Sequence, residues 1–246
     1  TMVTVVDAFN FFKDFGSTDM LLDRALTDIE GDYRNIADLL ADQVEFANVI
    51  LLNKIDLVTE IEVKMLRAAI QKLNPSASII ETLHSKVAPE TILNTKLFDF
   101  EEAEQSAGWM EELEKGHHIP ETEEYGISSF VFKTKRPFNP DRFLDFTQEL
   151  PDSIIRSKGL FWLTSRGNQA LIWAHAGGSL NIESAGVWWS SMPEYERMQY
   201  MSYIDNQETL EADWHYTFGD RKIEIVFIGQ NMDQFDIKDR LQRCLA

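Results

Sequence analysis

Cysteine is nearly absent from this chain of 246 residues: Cys244 stands alone, which excludes an internal disulfide and any Cys-x-x-Cys metal site. Positive charge is scarce as well. Lys and Arg number 23 against 41 Asp and Glu, a formal charge of −18. A phosphate backbone attracts a basic surface and is repelled by this one, so nucleic acid is excluded as the main ligand, and a metal cation or a basic partner suits the surface better. No apolar run approaches the ~18 residues a membrane helix needs, so no membrane span is expected. The opening Thr1-Met2-Val3-Thr4-Val5-Val6 reads as a strand, not as a charged leader followed by a small-residue cleavage site, and no secretory signal is visible. The chain therefore reads as a soluble, intracellular, cytoplasmic protein. Also missing are a readable Ser/His/Asp arrangement and a His-Glu-x-x-His, which leaves those hydrolytic chemistries without support.

What is present is enough apolar residue, 44%, to bury a core in one large or two modest domains. Residues 1–100 alternate strand and helix patterns, with strands at Thr4–Ala8, Val49–Leu52 and Ser78–Thr82, which predicts parallel βαβ units. Apolar residues at Ile61, Met65, Leu66, Ala69, Ile70 and Leu73 predict a helix from Glu60 to Leu73 that Asn74-Pro75 stops, and a further helix is expected from Pro89 toward Leu97. Residues 101–124 are dominated by Glu, with Lys115 the only Lys or Arg, and read as an acidic linker. From 125 to 246 the chain is strand-rich and aromatic, with strands at 127–132, 159–163, 170–173 and 223–228 and helices at 140–150 and 236–245. The expected fold class is α/β: a partial parallel sheet followed by an α+β C-terminal domain whose sheet is mixed or antiparallel, with helices on one face.

The most specific chemistry lies in Asn53-Lys54-Ile55-Asp56, directly after the apolar run Val49-Ile50-Leu51-Leu52. A carboxylate at Asp56 can accept hydrogen bonds from the N1 and N2 donors of guanine, whereas adenine presents an acceptor at N1 and would leave the carboxylate unpaired. Asn53 can reach the N7/O6 edge or tie neighbouring loops together, and the stem of Lys54 can lie against purine and ribose. An ordinary strand-to-helix turn, with Asn and Asp chosen for turn geometry and capping, is the competing reading.

These residues resemble the CobW-type GTPases, a group that includes zinc-responsive metallochaperones. Thr4-Val5-Val6-Asp7-Ala8 is similar to the family's strand after the second switch, and Gln43 with Ala47 to Leu57 to its guanine-specificity segment. Gly126-Ile127-Ser128-Ser129-Phe130, Arg136-Pro137-Phe138, Arg156 to Trp162, Trp188-Trp189 and Ile228-Gly229 resemble its C-terminal domain. The resemblance implies a P-loop GTPase-like sheet, GTP and Mg²⁺ in an intact protein, Zn²⁺ as the metal handled, and a metal-dependent client protein as partner. It places Ser85 and Lys86 in the loop whose backbone meets guanine O6, where the family usually shows Gly near Ser85; a plain strand-end turn is the alternative there. His117 and His118 in the linker offer zinc-type ligands, against the alternative of a solvated linker. His175, His215 and the tryptophans are read as structural, and Asp7 as structural or as a ligand neighbour at the sheet's C-terminal edge.

Two family features are missing. No Gly is followed by Lys, so the phosphate loop Gly-x-x-x-x-Gly-Lys-Ser/Thr is not in these residues, and neither is the family's Cys-x-Cys-Cys motif. The expectation is a C-terminal part of a longer GTP-hydrolysing metallochaperone, inactive by itself, or in the alternative a non-catalytic interaction module. A sheet lacking its P-loop strand exposes edges and apolar faces, so a destabilised or dimeric first domain is also expected.

Overall fold

The computed structural model describes residues 1–27, 34–98 and 124–246; most of the acidic linker, His117 and His118 included, lies outside the described residues. Strands β1 (Val3–Asp7), β2 (Val49–Asn53) and β3 (Ser78–Thr82) form a parallel sheet in the order β1-β2-β3. The central strand is apolar along its length, as a parallel strand covered on both faces must be. Helix α1 (Phe11–Phe15) follows β1, α2 (Ile36–Glu45) leads into β2, and α3 (Glu60–Leu73) connects β2 to β3.

Helix α3 starts on a capping box: the Thr59 hydroxyl accepts from the Glu62 N–H while the Glu62 carboxylate accepts from the Thr59 N–H at 2.7 Å. It ends at Asn74, as the sequence predicts. Its buried stripe is Val63, Leu66, Ala69, Ile70 and Leu73. Ile61 was expected in that stripe and is exposed instead, because at 3.6 residues per turn it falls roughly 140° from the centre of the face that Val63, Leu66, Ala69, Ile70 and Leu73 share. Asn74 is fully buried, and its amide donates to the carbonyls of Val44, Glu45 and Ala47 at 2.8, 3.1 and 2.8 Å, tying the end of α3 to the corner between α2 and β2. The helix expected from Pro89 to Leu97 reduces to a 3-10 turn at Pro89–Thr91. Asn94 and Lys96 take positive φ, which an α-helix does not tolerate.

The second sheet is antiparallel, with order β4-β8-β5-β6-β7 for β4 (Ile127–Thr134), β5 (Ile154–Phe161), β6 (Gln169–Ala176), β7 (Ser179–Val187) and β8 (Ile223–Gln230). Helices α4 (Pro140–Gln148) and α8 (Gln234–Cys244) cover one face, and α5 (Glu194–Arg197), α6 (Met201–Asp205) and α7 (Gln207–Ala212) link β7 to β8. Along β8 the side chains alternate between two cores: Ile225 and Phe227 join Phe138, Phe143 and Trp173 under α4 and α8, while Val226 and Ile228 join the core of the first sheet. The face not covered by α4 and α8 is thus packed against the first unit.

That junction is polar as well as apolar. Asn35 at the N-cap of α2 and Asp38, Asp42 and Glu45 within it fall at helical spacing and face the second sheet. Asp38 accepts from Ser179 Oγ and Asn181 Nδ2 at 2.8 and 2.7 Å, and Glu45 holds Arg156 of β5 through Nε at 2.7 Å and Nη2 at 3.0 Å, with both side chains almost fully buried. The Gly177-Gly178 turn lies against the backbone of α1: a Cβ on Gly177, whose φ is +51°, would stand 1.8 Å from the Phe15 carbonyl oxygen. No described helix is long and apolar enough to cross a membrane.

Candidate functional site

The register of the first sheet sets Asp7, Asn53 and Thr82 side by side, since Asp7 pairs with Asn53 and Asn53 with Thr82. These are the last residues of three parallel strands, so the loops that follow converge on one edge, where open α/β sheets receive ligands. Asn53 acts as the tie between loops. Its Oδ1 accepts from the Ser85 N–H at 2.8 Å and from the Thr82 hydroxyl at 3.2 Å, and its carbonyl accepts from the Ala8 N–H at 2.9 Å. One amide side chain thereby fixes the loop after β3 to the loop after β2.

Lys54 follows in the left-handed conformation, φ 63°, which turns the chain sharply out of the strand and into the short 3-10 turn Ile55–Leu57. Its ammonium reaches Asp7 at 2.7 Å. Asp7 collects further hydrogen bonds from the N–H groups of Phe9 and Asn10 and from Asn10 Nδ2. Burial pushes the Asp7 carboxyl up, but the hydrogen bonds from Lys54 and Asn10 outweigh it and hold the carboxyl below its usual range. Asp56 is exposed, and among the described residues nothing hydrogen-bonds to its carboxylate, so both oxygens are open to an incoming donor pair.

In the loop after β3, His84 and Ser85 both take positive φ, 53° and 52°, the conformation glycine adopts without cost. Ser85 thus keeps the backbone shape that a glycine would give. Its N–H, however, is already given to Asn53, and the Lys86 N–H closes on the Leu83 carbonyl at 3.1 Å. The two backbone donors expected to meet guanine O6 are thus held on Asn53 and on the Leu83 carbonyl in this structure, and the exposed Lys86 presents its side chain outward. Asn53, Lys54, Asp56, Ser85 and Lys86 are brought to one edge. The Asp7–Lys54 pair was not legible in the sequence, although two strand ends one register step apart were its signal.

The residues fit half of a purine-nucleotide site: an open carboxylate, a lysine stem beside it, and a second loop pinned alongside. For a metal the outcome differs. Among the described residues no group of three or more His, Cys, Asp or Glu is placed to hold an ion. His175 is buried, and burial first, then the Arg156 charge, lowers its pKa to about 4. His215 Nδ1 accepts from the N–H groups of Thr217 and Phe218, a turn function.

Residues 127–245 match the model described as "Cobalamin synthesis protein cobW C-terminal domain", and residues 1–81 the model "CobW/HypB/UreG, nucleotide-binding domain". Zinc-regulated GTPase metalloprotein activator 1 of Dictyostelium discoideum is 41% identical over 249 residues, spanning 100% of this chain and 51% of that protein. A zinc chaperone of Mycobacterium tuberculosis is 33% identical over 121 residues, 48% of this chain and 29% of that protein. The chain thus spans about half the length of the first relative and less of the second. The crystal structure of the Zn(II)-bound YjiA GTPase from E. coli aligns with 99% of this chain and 60% of that one at a TM-score of 0.40 and 17% identity.

Proposed function

The chain belongs to the CobW family, and from that premise we propose that it forms the base-selecting and C-terminal part of a cytoplasmic protein that binds and hydrolyses GTP and hands zinc to a metal-dependent client. The observation that carries the reading is the open Asp56 carboxylate next to Lys54, at the edge where Asn53 pins the Ser85 loop. Asp56 accepts the donor edge of guanine, Lys54 covers the ring with its stem, and Ser85 and Lys86 close the second side of the base. Asp7 holds the Lys54 ammonium and so sets the direction of that stem. GTP, when bound, supplies the phosphoryl group whose transfer to water drives the cycle, a step that relies on a P-loop Lys and Mg²⁺. No Gly-Lys of a phosphate loop stands among these 246 residues, and the proposal assigns that Lys, with the Mg²⁺ beside it, to the rest of a protein as long as the Dictyostelium relative. Zinc is cargo in this scheme, and the His117-His118 pair in the acidic linker is the candidate for transient contact with it. Boundaries near 100 and 125 for the linker belong to the same proposal, as does self-association through the open edge of β1, where Val3 and Val5 are exposed.

The test is nucleotide titration and turnover with the intact protein. GTP should bind at least about 100-fold more tightly than ATP, since a wrong base leaves the Asp56 carboxylate unpaired, and hydrolysis should follow. Equal affinity for the two nucleotides would remove the base-selecting reading. Selective binding without turnover would favour the non-catalytic interaction module.

A further inference from the structure

The segment between β7 and β8 carries the densest group of exposed apolar side chains in the C-terminal unit, and no function assigned so far uses it. Tyr195 is 72% exposed and Met201 67%, with Met198, Tyr200 and Ile204 also exposed, all within ten residues, and Tyr216 is 95% exposed just beyond α7. These side chains stand on an ordered base. Trp189 packs against Tyr200 and Tyr203 with ring centroids 5.7 and 5.2 Å apart. The Arg197 guanidinium lies over Tyr203 at 5.4 Å and over Trp214 at 4.9 Å, joining the stretch at 195–204 to the turn that carries Tyr216. Only Tyr203 of this run is buried, so ordering the segment hides few of its apolar residues.

The charge of the segment is one-sided. Between Pro193 and Asp213 it holds Glu194, Glu196, Asp205, Glu208, Glu211 and Asp213 against Arg197 alone; that guanidinium is already engaged over the two rings, and Lys135 takes Asp213 at 2.6 Å, which leaves five carboxylates to the face. A second copy of this chain would press acid on acid, and an anionic membrane or a nucleic acid would be repelled. Met and Tyr are residues of adaptable and anchoring contact surfaces, and with an acidic surround they match a helix that is apolar on one side and basic on the other.

We propose that residues 193–216 form a docking face for a basic amphipathic segment of another protein. Met198, Met201, Ile204 and Tyr216 receive its apolar side, and the surrounding carboxylates receive its Lys and Arg. This inference does not depend on the nucleotide reading.

The probe is a labelled peptide of about four helical turns with Leu at helical spacing and Lys elsewhere, titrated against the full-length protein, beside a peptide in which Glu replaces Lys. The Lys peptide should bind and the Glu peptide should not. The double variant Met198→Ser/Met201→Ser leaves the charge unchanged and replaces side chains that are 45% and 67% exposed, so it should keep the fold, checked by circular dichroism, and weaken binding at least ~10-fold. Tyr216→Ser gives a second, independent reading of the same face. Unchanged affinity in both variants would reduce the contact to diffuse attraction by an acidic protein and overturn the proposal. Failure of the Lys peptide to bind the parent protein would overturn it, as would a dimer that the same variants dissociate.

Discussion

Replacing Glu45 by Ala removes one half of an ion pair that no solvent reaches, and the cost follows from what remains. Glu45 and Arg156 are 2% and 3% exposed at their side chains. Among the described residues the guanidinium has one further hydrogen-bond acceptor, the His175 carbonyl at 3.4 Å. Stripped of Glu45, it is a buried charge left with long or indirect partners, and breaking such a pair costs about 3–5 kcal/mol. Asp42, one turn back on α2, moderates the loss. Burial first, then the Glu45 charge, raises its pKa, so in the variant it is freer to ionise toward Arg156, and the expected cost lies near the lower bound. A domain stable by about 5–15 kcal/mol survives that, with a visible drop in its urea midpoint. The double variant Glu45→Ala/Arg156→Met removes both charges and should cost clearly less than the sum of the two single changes, with a coupling of ~2 kcal/mol or more. Equilibrium unfolding in urea, followed by Trp fluorescence from the second unit and circular dichroism from both, supplies the four corners of the cycle. A single-variant cost under about 1 kcal/mol, or strict additivity, would refute the claim that this pair is dry and joins the two sheets.

The buried His175 makes stability fall in mild acid. Its pKa is lowered to about 4 in the fold and is about 6.5 when unfolded, so the unfolded chain binds the extra proton first, and stability drops as pH falls from about 6.5 to 4 by up to ~3 kcal/mol. Asp42, with its raised pKa, opposes part of this drop. His175→Gln should flatten the slope in urea unfolding measured across that range, and an unchanged slope would point to another group. Thr59→Ala, which removes the capping box of α3, should lower stability by about 1 kcal/mol, read as a shift in the same urea midpoint.

Strand ends and helix stops were legible because each is a local matter. Asn74-Pro75 ends α3 through backbone geometry, and an apolar run with turn residues behind it announces β2. Strand β7 was not legible: Ser-Leu-Asn-Ile-Glu-Ser-Ala-Gly-Val pairs on one side only and is mostly exposed, so nothing forces an apolar period into it. The short helices α5, α6 and α7 bury little and leave a correspondingly faint pattern. At the candidate site, residue types pointed to Asn53, Lys54 and Asp56, but the partners of each came from register and loop conformation. Which donor Asn53 would engage, and that Ser85 had already spent its N–H, depend on a loop fixed by two left-handed residues. Glu45 and Arg156 are 111 positions apart, and no local pattern links them.

Asp56→Asn in the intact protein, titrated with GTP and with xanthosine triphosphate, bears most directly on the role given to that carboxylate. Losing a charged acceptor for two donors should weaken GTP by at least about 100-fold, while xanthosine triphosphate, whose second carbonyl can pair with the new amide, should bind more tightly than it does to the parent. GTP affinity unchanged by the substitution, with no gain for the xanthine nucleotide, would contradict the assignment.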